Sequence, residues 1–369
     1  MGITELGIGA GSAAWRLPQT KTQRARAALV GFLESCGAFE WVALSYLGLS
    51  GFLIMLFWRN LPRAGRLISI HVGFIAAIIG LVAAARRAAF SAVADRSAGA
   101  KWVRALSAAR NWYPQAVFLF CFEELGAIVH LVRSGWWDSW LLRFDHWIAG
   151  EHPAVLLARI ARPWLTEIMQ VGYLSYFFFL TILAFVLYTR GADDSSAKHS
   201  SPQFAFWAVM TSSMAAYSIG YVVSISFPVE SPYYSLAALH LPALTGGPFT
   251  RLSDLIEHYG RVHGGAFPSE HVAGSFVALL GAWRYRRRLF WWFVPFFALM
   301  CFSTVYVRNH YIADVFGGLI TGWAGFWLGH RLMRVRGAVP SEVKTSRGQF
   351  SGLVDAGGIQ DSPARKGAR

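Results

Sequence analysis

The sequence predicts an all-α membrane protein, a bundle of about eight transmembrane helices, on two observations. First, 55% of the 369 residues are hydrophobic and only 15% are charged, whereas a soluble domain carries about 25% charged residues. Second, the apolar residues fall in long runs, and a bilayer core requires roughly 20 apolar residues per helix. The predicted spans are residues 41–58, 67–85, 112–132, 165–189, 204–227, 269–284, 289–307 and 311–333.

The basic residues indicate how the chain crosses the membrane. A net charge of +14 also occurs in nucleic-acid-binding proteins, but here Lys and Arg lie between the apolar runs, as in membrane proteins. With a cytoplasmic N-terminus, 24 of the 34 Lys and Arg residues fall in cytoplasmic segments and 10 in the others. We therefore expect cytoplasmic N- and C-termini, a plasma membrane of the bacterial type, and no nucleic-acid partner.

The chain divides into four parts. Residues 1–40 form a cytoplasmic N-terminal tail, residues 41–109 two additional transmembrane helices, residues 110–333 the main bundle, and residues 334–369 a basic tail expected to be disordered. The apolar run after residue 40 is long enough to remain as an anchor, so we expect no cleaved signal peptide. The three cysteines have the spacing of neither a zinc site nor a disulfide framework.

Two long connections lie on the side of the membrane opposite the termini. The first is rich in tryptophan between Trp136 and Trp147, which is typical of a segment lying flat at the interface. The second runs over residues 228–267 and contains the turn-forming stretches Ser-Pro-Tyr-Tyr and Gly-Gly-Pro. These stretches predict a loop that can cover a site.

Two polar segments stand out within the apolar bundle. Residues 267–271 read Phe-Pro-Ser-Glu-His and lead into the sixth span. Residues 303–314 read Ser-Thr-Val-Tyr-Val-Arg-Asn-His-Tyr-Ile-Ala-Asp and lead into the eighth. The topology, which was built only from apolar runs and charge, places both segments at the same non-cytoplasmic face.

The spacing of these residues has a chemical meaning. His310 and Asp314 are four residues apart at a helix start, so they share one face. A carboxylate there can orient one ring nitrogen and leave the other free to attack. His271 follows Ser269, a good first residue for a helix, and a helix N-terminus favours phosphate. Arg308 can neutralise charge on a transferring phosphoryl group.

The two segments together resemble the type-2 phosphatidic acid phosphatase superfamily. Pro-Ser-x-His within 267–271, followed by His-x-x-x-Asp at 310–314, carries the resemblance. The branch it most resembles is that of inositol phosphorylceramide synthases and sphingomyelin synthases. Arg-Asn-Trp-Tyr-Pro at 110–114 and Tyr-Leu-Ser-Tyr at 173–176 also resemble segments of that branch. The resemblance covers residues 110–333, so the last six spans would form a six-helix catalytic core.

The resemblance implies a role for each matching residue. His310 would be the nucleophile that forms a phosphohistidine, Asp314 would orient it, and His271 would be the general acid and then the base. Arg308 and Ser269 would contact the substrate. The family needs no metal or other cofactor, and its substrates are a phospholipid and a lipid alcohol in the bilayer. The chain would therefore be a lipid phosphotransferase that moves a phosphoryl group or phospho-headgroup.

The chain also departs from the family's patterns. Thr304 follows Ser303 where the phosphatase branch has an arginine. The pair Arg162-Pro163 matches the end of the family's first motif, but the preceding lysine is missing. Residues 231–233 read Ser-Pro-Tyr where the synthase branch often has Gly-Pro-Arg. The resemblance therefore does not carry the phosphate-binding residues of either branch over to this chain.

Two further functions stay open at this point. With water as the acceptor, the same site would be a lipid phosphate phosphatase. A non-catalytic lipid-binding or transport protein would instead use charges inside the membrane, and Glu123 and Glu124 in the third span are the candidates. We expect one of these two glutamates to pair with an arginine or a tyrosine hydroxyl.

Overall fold

The computed structural model describes residues 20–94, 100–192 and 202–336, and over these ranges the chain is helical without a strand. This confirms the predicted all-α bundle. The helices are α1 (Lys21–Ser35), α2 (Ala38–Leu56), α3 (Ala64–Ala94), α4 (Ala100–Ile128), α5 (Asp138–Ala149), α6 (Pro153–Arg159), α7 (Pro163–Leu174), α8 (Tyr176–Arg190), α9 (Pro202–Ser226), α10 (Pro232–Ser235), α11 (Pro248–Gly260), α12 (Glu270–Tyr285), α13 (Arg287–Tyr306) and α14 (Ile312–Arg336).

Six helical stretches of the described residues are long and apolar enough to span a membrane. They are Ala38–Leu56, Ala64–Ala88, Pro163–Arg190, Gln203–Ser226, Arg287–Tyr306 and Ile312–Arg336. The other two predicted spans coincide with α4 and α12. Helix α12 has only 16 residues, and α4 interrupts its apolar run with polar and charged side chains. The chain is therefore an integral membrane protein, with helices at all eight predicted positions.

Helix α9 forms the centre of the bundle, and α14 packs closely against it. A Cβ added to Gly325 or Gly329 of α14 would lie 2.5 Å from the Cα of Ala216 or Ser212 of α9. Small residues at such positions let two membrane helices approach each other. The same helix contacts α12 through Gly318, whose added Cβ would lie 2.6 Å from the carbonyl oxygen of Ser269. These glycines bring the starts of α12 and α14 together.

Buried polar pairs connect the first helices to the bundle. Arg110 of α4 donates to Oε1 of Glu40 in α2 through Nε at 3.1 Å and Nη2 at 3.0 Å. Glu124 of α4 lies 2.8 Å from Nε2 of His71 in α3, and Ser50 of α2 contacts the same nitrogen at 3.0 Å. The partner of Glu124 is thus a histidine, and the expectation of an arginine or tyrosine partner was wrong.

Three local features differ from the sequence predictions. Helix α1 lies within the segment predicted as an N-terminal tail. The predicted fourth span is divided into α7 and α8 at Ser175, whose Oγ donates to the carbonyl of Gly172 at 2.6 Å. Most of the tail predicted to be disordered lies outside the described residues, although α14 continues to Arg336.

The predicted loop over residues 228–267 contains the short helix α10 and a longer helix, α11. Glu167 of α7 accepts hydrogen bonds from the backbone N–H groups of Gly247, Phe249 and Thr250 at 2.7–3.0 Å. These N–H groups are among those that a helix start leaves without an intrahelical partner. A carboxylate from another helix therefore caps α11 and holds it against α7.

Candidate active site

His310 lies in the turn between α13 and α14, where its ring is oriented by two oxygen acceptors. Its backbone N–H donates to the carbonyl of Thr304 at 3.1 Å. Its Nδ1 lies 3.0 Å from the carbonyl oxygen of Ala266 and 3.2 Å from Oδ2 of Asp314. Because a carbonyl and a carboxylate both accept, we assign the ring proton to Nδ1. This leaves Nε2 with a free lone pair.

Asp314 is fully buried in the first turn of α14. Its Oδ2 also accepts a hydrogen bond of 2.8 Å from the backbone N–H of Tyr311. One carboxylate oxygen thus orients the ring of His310 and fixes the turn that carries it. The contact between His310 and Asp314 is the one that their spacing predicted.

His271, in the first turn of α12, faces the free nitrogen of His310. Its Nδ1 lies 3.0 Å from Nε2 of His310, so with the tautomer above Nδ1 carries the proton and donates. On the other side of the ring, Nε2 lies 3.2 Å from the hydroxyl of Tyr173. The ring of Tyr176 meets the imidazole edge-on at a centroid distance of 4.3 Å. The histidines thus belong to one hydrogen-bonded series from Tyr173 to Asp314.

Burial sets the charge of His310. Its side chain is almost completely removed from solvent, and this burial lowers the pKa of His310 well below its ordinary value; the nearby His271 acts in the same direction, and the carbonyl of Ala266 partly opposes it. A neutral ring is the form with a lone pair on Nε2. The surroundings therefore favour this neutral form of His310.

Helix α5 also holds the start of α14 in place, through two aspartates. The carboxylate of Asp145 accepts from the backbone N–H groups of Ile312 at 3.1 Å and Ala313 at 3.3 Å. Asp138 accepts from the hydroxyl of Tyr311 at 2.6 Å. Burial raises the pKa of both aspartates. The Trp-rich segment, whose composition is typical of an interfacial element, thus also positions the turn between α13 and α14.

The two residues predicted to bind substrate have other contacts. Ser269 is fully buried; its Oγ accepts from the N–H of Val272 at 3.4 Å, and its own N–H donates to the carbonyl of Asp314 at 3.0 Å. It caps α12 and joins it to α14. The guanidinium of Arg308 donates through Nη2 to the carbonyl of Pro242 at 2.8 Å. The structure thus brings together His271, His310 and Asp314, whereas the guanidinium of Arg308 contacts the segment before α11.

The comparisons with known proteins agree with this arrangement. The family model described as the PAP2 superfamily matches residues 139–328, which is more than half of the chain and includes both histidines and Asp314. The chain belongs to the PAP2 superfamily. No curated protein and no solved structure is significantly similar to it.

Membership of the PAP2 superfamily indicates a phosphatase-type enzyme that acts on lipid phosphates. The match begins within α5 and ends within α14, so it includes Asp145 and starts one residue after Asp138. Helices α1–α4 lie outside it. Among the residues that the structure describes, no group of three or more His, Cys, Asp or Glu side chains is arranged to hold a metal ion.

In this member of the PAP2 superfamily, the polar site extends beyond the predicted residues towards α11. Nδ2 of Asn309 donates to Oε1 of Glu257 at 2.6 Å, and Glu257 forms an ion pair with Arg261. These residues were not predicted from the sequence, and neither were Asp138 and Asp145. For the aspartates a signal was present, since two acidic residues seven positions apart lie on one face of a helix.

Proposed function

We propose that the protein is a membrane lipid phosphotransferase whose nucleophile is Nε2 of His310. One observation carries this proposal: Nδ1 of His310 is engaged by Ala266 and Asp314, while its Nε2 faces Nδ1 of His271 at 3.0 Å. A nucleophile oriented by a carboxylate and placed beside an acid–base group is the arrangement that covalent catalysis requires. Superfamily membership supports the phosphoryl chemistry.

In the first step, the phosphate of the donor lipid enters between the two histidines, and its negative charge favours a second proton on His271, which then acts as an imidazolium. Nε2 of His310 forms a bond to phosphorus, and the bond from phosphorus to the leaving oxygen breaks with its electron pair. The imidazolium of His271 transfers one proton to that oxygen and becomes neutral, so an alcohol leaves and a phosphohistidine remains. Asp314 stabilises the positive charge that develops on the His310 ring.

In the second step, an acceptor hydroxyl attacks the phosphohistidine. His271, now a neutral imidazole, takes the hydroxyl proton and becomes an imidazolium again, while the bond between phosphorus and Nε2 breaks and its electrons return to His310. The acceptor is a lipid alcohol in a transferase and water in a phosphatase. The segments at 110–114 and 173–176 resemble the inositol phosphorylceramide and sphingomyelin synthase branch, and this resemblance favours the lipid alcohol.

An apolar groove beside the site supports a lipid substrate. It lies between α7, α8, α11 and α13 and has a volume of about 670 Å³. Its lining includes Phe178, Ile182, Leu252, Ile256 and Phe293. Ser175 also lines the groove, and the next residue, Tyr176, contacts His271. An alkyl chain in the groove would therefore place a headgroup next to the histidines.

The experiment that tests the proposal follows a labelled phosphate. Purified full-length protein in detergent is given phospholipids and lipid phosphates labelled in the phosphate, with and without diacylglycerol or ceramide. His310→Ala is compared with His258→Ala, an exposed histidine of α11. We expect wild type and His258→Ala to move label to a new lipid or release it as phosphate, and His310→Ala to do neither. Equal turnover by His310→Ala would refute the proposal, and no turnover by wild type would favour a binding or transport function.

A further inference from the structure

Arg261 follows the last residue of α11 and is connected to the loop that carries His310. Its Nη2 forms an ion pair with Glu257, one helical turn earlier. The same carboxylate accepts the 2.6 Å hydrogen bond from Nδ2 of Asn309, the residue directly before His310. Glu257 therefore holds a cation of α11 and an amide of the His310 turn at the same time.

A second contact joins Arg261 to the same turn. The guanidinium lies over the ring of Tyr233, and the backbone N–H of Tyr233 donates to the carbonyl of Arg308 at 2.9 Å, two residues before His310. Arg261 is thus connected twice to the turn that carries His310, although α11 lies outside the predicted motifs.

The guanidinium of Arg261 is fixed in orientation but incompletely bonded. Its carbon lies 3.9 Å from the centroid of the Tyr233 ring, a typical cation–π contact. Only 20% of the Arg261 side chain is exposed, and Nη1 is shielded from solvent without a hydrogen-bond partner in the described protein. The ion pair with Glu257 does not by itself explain this burial, because such a pair could also form on an exposed helix end. A shielded donor without a partner instead indicates a site for an acceptor from a ligand.

The other positions at which a phosphate-binding cation could be expected are occupied or bonded differently. Thr304 stands where the phosphatase branch has an arginine, and its hydroxyl donates to the carbonyl of Cys301 at 2.8 Å. Arg162 is exposed, and its Nη1 donates to the carbonyl of Ala161. Arg308 donates through Nη2 to the carbonyl of Pro242, and its Nε, like Nη1 of Arg261, is shielded without a partner in the described protein. A phosphate bound between the histidines would be repelled by the nearby carboxylate of Asp314. A positive charge near the site would offset this repulsion and stabilise the bound phosphate.

We propose that Arg261 binds the phosphate of the substrate through Nη1, while Glu257 and the ring of Tyr233 hold the guanidinium in place. This inference rests on the proposed function, because it assigns a phosphate to the site of the two histidines. Arg261 would replace the phosphate-binding arginine that the chain lacks at position 304. The ligand is a phosphate monoester or diester of a lipid, and inorganic phosphate is its simplest form.

The test compares Arg261→Gln and Arg261→Lys with Arg251→Gln, an exposed arginine in the first turn of α11. The measurements are KM for the labelled lipid donor and the inhibition constant of inorganic phosphate. Losing a hydrogen bond to a charged group weakens binding by about 10- to 100-fold. We expect Arg261→Gln to raise both constants by this factor, Arg261→Lys to raise them less, and Arg251→Gln to leave them unchanged.

A double variant, Arg261→Gln with Glu257→Gln, guards against misfolding, because it removes the carboxylate that the single change would leave without its cation. Size-exclusion chromatography identifies the folded variants. A folded single or double variant with wild-type KM and wild-type phosphate inhibition would overturn the assignment of Arg261. Failure of the proposed function gives a different result, since His310→Ala would then retain the turnover of wild type.

Discussion

The carboxylate of Asp145 accepts a hydrogen bond of 3.1 Å from the backbone N–H of Ile312, the first residue of α14. Through this contact, a helix at the edge of the bundle caps the helix that carries Asp314. The cap matters for the site because it fixes the end of the turn between α13 and α14, and this turn carries His310. A loss of the cap should therefore affect chemistry more than substrate binding.

Asp145→Ala should lower kcat by about 10-fold or more, since a lost helix cap costs about 1 kcal/mol and the site tolerates little misplacement. KM should change less. Asp145→Asn keeps one carbonyl acceptor and should fall between wild type and Asp145→Ala. Amide exchange at residues 312 and 313 should become faster in both variants. Asp254→Ala, an exposed aspartate of α11, is the control, and an Asp145→Ala enzyme with wild-type kcat would contradict the positioning role.

The close approach of α12 and α14 gives a prediction about Gly318. A Cβ at this position would lie 2.6 Å from the carbonyl oxygen of Ser269, which is closer than van der Waals contact allows. We expect Gly318→Ala to destabilise the protein by about 1–3 kcal/mol, as overpacking does, and to lower activity by separating His271 from His310. Gly80→Ala in α3, where nothing lies within 4 Å, should be neutral or slightly stabilising. Thermal unfolding in detergent measures both, and equal melting temperatures would refute the packing argument.

Contacts between residues close together in the chain could be predicted from the sequence, whereas contacts between distant residues could not. Apolar runs and the four-residue spacing of His310 and Asp314 are local patterns, so they predicted the helices and this contact correctly. Asp145 reaches Ile312 across 167 positions of the chain, and no local pattern identifies such a partner. Helix α11 was taken for a loop because turn-forming residues precede it and its apolar residues occupy one face only. The catalytic roles of the two histidines stay a prediction.

The buried ion pair between Arg110 and Glu40 should be important for stability and not for chemistry. The side chains are 7% and 0% exposed, so removal of one partner leaves an uncompensated charge and costs about 3–5 kcal/mol. Arg110→Leu should therefore lower the melting temperature strongly. The double change Arg110→Leu with Glu40→Leu should recover most of the loss, because two apolar residues replace both charges.

The control for this prediction is an exposed ion pair of similar length. Arg159 lies 2.6 Å from Glu151, with 63% and 37% of the side chains exposed, and such pairs contribute at most about 1 kcal/mol. Arg159→Leu should therefore unfold at nearly the wild-type temperature. If Arg110→Leu behaved in the same way, α2 would not depend on this contact for its attachment to α4.

The hydroxyl of Tyr173 should contribute modestly to turnover. It contacts Nε2 of His271 at 3.2 Å, and it holds the ring that donates a proton to the leaving group in the proposed mechanism. A single neutral hydrogen bond is worth about 0.5–1.5 kcal/mol, so Tyr173→Phe should lower kcat by about 2- to 10-fold. Tyr259→Phe, on an exposed residue of α11, should have wild-type kinetics. A Tyr173→Phe enzyme as inactive as His271→Ala would show that the hydroxyl does more than orient the ring.

The burial of His310 predicts how stability depends on pH. Burial lowers the pKa of His310 in the folded protein well below its ordinary value of 6.5. Below pH 6.5 the unfolded chain binds a proton at this residue that the folded protein does not bind. The contribution of His310 is therefore fully present above pH 6.5 and is lost as pH falls towards the folded pKa. The limiting slope is about 1.4 kcal/mol per pH unit.

The difference between wild type and His310→Asn isolates this contribution, because other buried groups such as Asp138 and Asp145 titrate in both proteins. We expect thermal unfolding between pH 7.5 and 4.5 to show that wild type loses more stability than His310→Asn, with the difference growing only below pH 6.5. Protonation of His310 should likewise not reduce kcat/KM until the pH is well below 6.5. A stability difference that is constant over the whole range would mean that His310 binds its proton as readily in the folded protein as in the unfolded chain. The neutral ring needed for attack on phosphorus would then not be a property of the fold.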